Sequence, residues 1–99
     1  MTLTQRKVTP IDRKRASEFL WNETGGRIFT AFFIKGDGVM RKMNCRRGVK
    51  AHLAGGELRY DPKPKQLLPV FDVKIKQYRM IALSRLVSFN IGNETFVVQ

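Results

Sequence analysis

A chain of 99 residues has room for one hydrophobic core, because two would each be too small to offset their ordering entropy. Apolar residues at 42% and charged residues at 27% match ordinary globular usage and exclude wholesale disorder. Nineteen Lys and Arg against eight Asp and Glu give +11, an excess that repels itself within a fold and is relieved when a polyanion binds.

DNA, RNA, an acidic protein or an anionic membrane would all match that charge. No apolar run approaches the roughly 18 to 20 residues needed to cross a bilayer, so a soluble chain is expected. The N-terminus, Met1 to Lys7, lacks the apolar stretch of a signal peptide, which predicts a cytoplasmic location. The lone Cys45 cannot form an internal disulfide and agrees with a reducing compartment.

In chain order, residues 1–9 form a basic arm and residues 10–26 a predicted helix. Thr9 is placed to cap it, Pro10 suits its first turn, Asp12 answers Thr9, and Gly25-Gly26 ends it. Ala16, Phe19 and Leu20 make a moderate apolar stripe. From Arg27 to Lys35 the sequence is aromatic and β-branched on both faces, as expected of a strand with the core on one side and the helix on the other. Gly36-Asp37-Gly38 predicts a hairpin turn, and Val39 to about Arg46 its partner strand.

Arg47 to Leu53 is compatible with one helical turn ended by Gly55-Gly56. Leu58 to Gln66 reads as a loop, since Pro62 and Pro64 each remove a backbone donor. Strand character returns at Leu67 to Lys74, Tyr78 to Leu83 and Leu86 to Ile91, with Phe71, Val73, Ile81, Leu83, Val87, Phe89 and Ile91 at inward positions. Ser84-Arg85-Leu86 is a single-turn break between strands, and Gly92-Asn93 a two-residue hairpin into Glu94 to Val98.

Five or six short strands must bury one face and protect their edges. Bending into a small SH3-like antiparallel β-barrel carrying the N-terminal α-helix, with residues 27–99 as the barrel, achieves both. An open sheet carrying the helix is the alternative.

The stretch from Gly38-Val39-Met40-Arg41-Lys42 through Arg46-Arg47-Gly48-Val49-Lys50, followed by Gly55-Gly56-Glu57-Leu58-Arg59-Tyr60-Asp61-Pro62-Lys63, resembles a family of small phage and bacterial proteins with an SH3-like β-barrel fold. Leu68 to Val73, Gln77 to Ile81 and the Leu83-to-Leu86 break extend the likeness over roughly residues 27 to 97, leaving the N-terminal helix outside it. That family has no assigned enzymatic activity. The resemblance therefore implies a phage-associated accessory protein in the host bacterial cytoplasm or nucleoid, and transfers no catalytic residue.

Charge is unevenly spread: residues 27–66 hold ten basic and three acidic groups, more than half of the excess. Arg46-Arg47-Gly48-Val49-Lys50 is the densest cluster, where adjacent guanidiniums beside a glycine can clamp successive phosphates. Arg41, Lys42, Arg59, Lys63 and Lys65 extend the basic surface, and Tyr60 and Tyr78-Arg79 offer an aromatic beside a cation on which a base can stack. The competing account of each is plain: solvated cations on a surface, a Tyr that anchors its loop, a Tyr half-buried against a neighbour, and a Trp21 that packs.

The expected nucleic-acid-binding set is Arg41, Lys42, Arg46, Arg47, Lys50, Arg59, Tyr60, Lys63, Lys65 and Arg79, with DNA ahead of RNA. No helix-turn-helix, zinc-finger or RNA-recognition signature is present, so recognition through the phosphate backbone is expected over base reading.

One Cys and one His fall short of a zinc site, and Cys45 with His52 lacks the orienting third group of a thiol nucleophile. Asp72-Val73-Lys74 has an acid-x-Lys spacing seen in some metal-dependent nucleases, but its second carboxylate would have to come from Asp61 or Glu57. A non-catalytic protein without metal or cofactor is therefore expected. The rival function is a module that binds and modulates a host protein through an acidic partner surface, with Phe19 and Trp21 exposed on the helix.

Overall fold

Seven strands, one α-helix and one 3-10 turn account for the regular structure of the residues that the computed structural model describes, 7–47 and 66–99. They are β1 (Lys7–Ile11), α1 (Arg13–Asn22), β2 (Phe29–Ile34), β3 (Met40–Arg46), β4 (Leu67–Asp72), β5 (Gln77–Ala82), the 3-10 turn Leu83–Arg85, β6 (Leu86–Ile91) and β7 (Glu94–Val98). The protein is mainly β, with a single mixed sheet in the order β1-β7-β6-β2-β3-β4-β5.

The sheet is not closed. Its ends are β1 and β5, and no pairing joins them among the described residues. Within it β3 and β4 share only the pairs Cys45↔Asp72 and Arg46↔Phe71, and the edge opposite β5 is extended by β7 and β1. The open sheet carrying a helix is thus what the described residues show.

β1 corrects the reading of Thr9-Pro10 as a helix start. Residues 7 to 11 instead pair in parallel with β7, from Lys7↔Glu94 to Ile11↔Val98. Pro10 is tolerated because an edge strand needs no donor on its outer side, and with Lys7 it discourages further strand addition. Thr9 Oγ1 donates to Glu94 Oε2 at 2.8 Å, so its hydroxyl joins the sheet and does not cap the helix. Asp12 is the cap, its Oδ1 accepting from Arg15 N at 2.8 Å.

The helix lies on the core face. Ala16 and Leu20 are buried with Phe29, Ala31 and Phe89, and the Phe19 ring meets Phe89 at 5.8 Å and Phe96 at 5.1 Å. Phe89 and Phe96 stack at 5.0 Å across the β6–β7 pair. The helix therefore does not cover the second face of β2, where Thr30 and Phe32 remain half-exposed. A large-to-small change at fully buried Phe89 is expected to cost about 3 to 5 kcal/mol.

Turn chemistry follows the sequence closely. Gly38 at φ +83° completes the β2–β3 hairpin, with Lys35 N donating to Val39 O at 3.0 Å and Asp37 Oδ1 accepting from Val39 N at 2.9 Å. Gly92 at φ +59° turns β6 into β7.

Side-chain parity slips once in β6. Phe32 pairs with Ser88 but Phe33 with Leu86, so Val87 sits in a bulge. Leu86, Phe89 and Ile91 are consequently buried while Val87, expected inward, is half-exposed. In β4 the core face carries Leu68 and Val70, and Phe71 meets Tyr78 edge-on at 5.5 Å on the other face. Among the described residues no helix is long and apolar enough to cross a membrane.

Candidate nucleic-acid interface

Because β3 and β4 pair over so short a length, the first half of β3 diverges from β4 and β5. The gap is an open groove of about 610 Å³. Lys35, Arg41 and Lys42 line it from the β2–β3 hairpin, Arg79 from β5 and Arg85 from the 3-10 turn. Asp72 is the one carboxylate among its described lining residues, and Phe33, Met43 and Met80 supply apolar surface.

Local interactions fix these cations. Asp72 is nearly buried at the end of β4, where its Oδ1 accepts from Lys74 N at 3.0 Å and Ile75 N at 3.4 Å. These bonds shape the β4–β5 turn, in which Lys76 takes φ +57°. Asp72 Oδ2 lies 3.6 Å from Arg79 Nε, which directs the Arg79 side chain while leaving it half-exposed. The carboxylate is thus committed to a turn and an ion pair, an arrangement at odds with the metal-binding role its acid-x-Lys spacing suggested.

The 3-10 turn is held from the helix. Arg13 Nη1 donates to Leu83 O at 2.6 Å and to Leu86 O at 3.0 Å, bracketing Arg85 in the chain. Arg85 Nη1 comes within 4.0 Å of the position a Cβ on Gly36 would take, so the turn and the hairpin approach each other at the groove.

Arg46 and Arg47, the expected phosphate clamp, are placed elsewhere. Arg47 stacks its guanidinium 4.2 Å over the Trp21 ring, and it donates from Nη1 to Trp21 O at 2.8 Å and from Nε to Pro69 O at 3.3 Å. Its half-buried cation has a pKa below the usual arginine value because burial disfavours charge. These bonds fasten the end of the helix to β4. Arg46 pairs with Phe71, is half-buried, and has its Nε enclosed without a hydrogen-bond partner. Neither residue lines the groove among its described walls.

Of the sequence-derived set, the fold brings together Arg41, Lys42 and Arg79. Lys50, Arg59, Tyr60, Lys63 and Lys65 lie outside the described residues, as do the helical turn expected from Gly48 onward and the loop expected up to Lys65. Tyr78 packs on Phe71 and its hydroxyl is buried without a partner. Lys35 and Arg85 were missed, because neither stands in a basic run and only folding sets the hairpin against the 3-10 turn. Cys45 is fully buried, its thiol pushed up to about 12 by burial and then by the charge of Asp72, which suits an inert core residue.

No protein-family model, curated protein or solved structure matches the chain.

Proposed function

We propose that the protein binds nucleic acid, DNA ahead of RNA, through phosphate contacts along this groove, and that it does so without catalysis. One observation carries the reading: five cations from three chain segments converge on a concave surface whose single described carboxylate is already paired with Arg79. Their mutual repulsion is offset when a phosphate backbone displaces counterions. Five phosphates neutralised on duplex DNA would give a slope of log affinity against log salt of about −4 to −5.

The fold supports an SH3-like ancestry for the chain. The strand order β6-β2-β3-β4-β5, with the 3-10 turn immediately before β6, follows that of a five-stranded SH3-like barrel, here left open at its β5 edge and with β7, β1 and α1 appended. In this reading the protein is a phage-associated accessory factor acting in the bacterial cytoplasm or nucleoid. The rival host-protein reading keeps its charge argument but not the exposed helix aromatics, because Phe19 and Trp21 are partly buried against the core.

Fluorescence-anisotropy titrations against labelled single-stranded DNA, duplex DNA and RNA at several salt concentrations test the proposal. Salt-sensitive binding that weakens in the Arg41→Glu, Arg85→Glu variant is the expected result. No salt-sensitive binding to any of the three would overturn it.

A further inference from the structure

Resting on the nucleic-acid reading, we infer that the groove accepts a single strand in preference to a duplex, with phosphates along its cationic walls and bases against its apolar floor. Three observations lead there. The cations line a concavity of about 610 Å³, on the scale of a small-ligand cleft of about 300 to 1,000 Å³ and far smaller than a double helix.

The second is chemical. A surface that binds duplex backbone needs only cations, since the bases of a duplex are stacked inside it and offer their edges alone. This groove also contains Phe33, Met43 and Met80, of which Phe33 and Met80 are half-exposed. Those side chains match the unstacked base faces that a single strand presents, and sequence-tolerant binding follows because every base has such a face.

The third is the kind of cation. Arg41, Arg79 and Arg85 carry planar guanidiniums, which stack on bases as well as pair with phosphates. Asp72 Oδ2 lies 3.6 Å from Arg79 Nε, and about half of the Arg79 side chain stays exposed. Arg79 is thereby presented half-exposed within the groove.

The test compares a fluorescein-labelled thymidine oligonucleotide with a duplex of equal length at matched salt, using the full chain and its Met80→Ala variant, with thermal melting to confirm that the variant folds. The single strand is expected to bind at least about tenfold tighter, and Met80→Ala to weaken single-strand binding several-fold, so that the ratio of single-strand to duplex affinity falls. Photocrosslinking of a 4-thiothymidine oligonucleotide to the unaltered protein gives a second readout, expected at Phe33 or Met80. Duplex binding equal to or tighter than single-strand binding would overturn this inference and leave the proposed function standing. Binding of neither, at any salt concentration, would overturn both.

Discussion

Two basic regions of this molecule use arginine in opposite ways. At the Trp21 corner the guanidinium of Arg47 is stacked on an indole and bonded to two main-chain carbonyl groups, so its charge serves to join α1 to β4. In the groove, Arg41, Lys42 and Arg85 are exposed, and Arg79 is only half covered by its ion pair with Asp72. Adjacent arginines in a sequence therefore do not define a binding patch. What separates a structural cation from one exposed to ligands is how many acceptors the fold supplies to it.

The sharpest way to break that contrast is to remove Arg47. Loss of two charge-assisted hydrogen bonds and a cation–π contact predicts that Arg47→Ala lowers stability by about 2 to 4 kcal/mol in urea denaturation. Nucleic-acid affinity of the folded fraction should barely change. If instead stability held and affinity fell, Arg47 would belong with the groove cations.

The reciprocal variant, Arg41→Glu with Arg85→Glu, reverses charge on both sides of the groove. Stability should shift by no more than about 0.5 kcal/mol, as is usual for surface changes, while affinity falls about 30- to 100-fold. A smaller effect is expected of Asp72→Asn, in which the amide oxygen can still accept from the turn. Removing an ion pair to a half-exposed Arg79 should cost less than about 1 kcal/mol and tighten binding a few-fold.

Cys45 gives an effect confined to alkaline pH and an internal control. Its folded pKa of about 12 exceeds the ordinary 9.0, so the folded chain retains the thiol proton longer than the unfolded chain. The associated stability is present in full below pH 9 and declines as pH rises from 9 to 12. Urea melts across that range should show a steeper decline for the unaltered protein than for Cys45→Ala.

Local turn chemistry was the most legible part of the fold. Gly36-Asp37-Gly38 and Gly92-Asn93 announce hairpins, in which Gly38 and Gly92 supply the positive φ, and β6 and β7 have the bounds that the sequence predicts. β1 was hidden because its pairing with β7 spans most of the chain, and Thr9-Pro10-Ile11-Asp12 carries a plausible helix-start pattern. Parity failed at Val87 because a bulge inserts one residue and turns everything beyond it to the other face. The number of short strands predicts a bent sheet but does not tell a closed barrel from an open sheet ending at β1 and β5, since closure depends on long-range register.

For the groove, Arg41, Lys42 and Arg79 were found through charge density and an aromatic neighbour. Arg85 was invisible because its relevance comes from Arg13 pinning the 3-10 turn and from the approach of that turn to Gly36. The contacts of Arg47 were illegible for the same reason, as its partner Trp21 lies in another element and its acceptors are carbonyl groups that every sequence contains.

The most direct test of the central claim is the salt dependence of affinity for a single-stranded oligonucleotide, measured for the unaltered protein and for the Arg41→Ala, Arg85→Ala variant. With five phosphates neutralised, log affinity should fall with log salt at a slope of about −3.5, and loss of two contacts should flatten it to about −2. An unchanged slope in the variant would contradict the account, because the exposed cations of the groove would then not be the ones that meet phosphate.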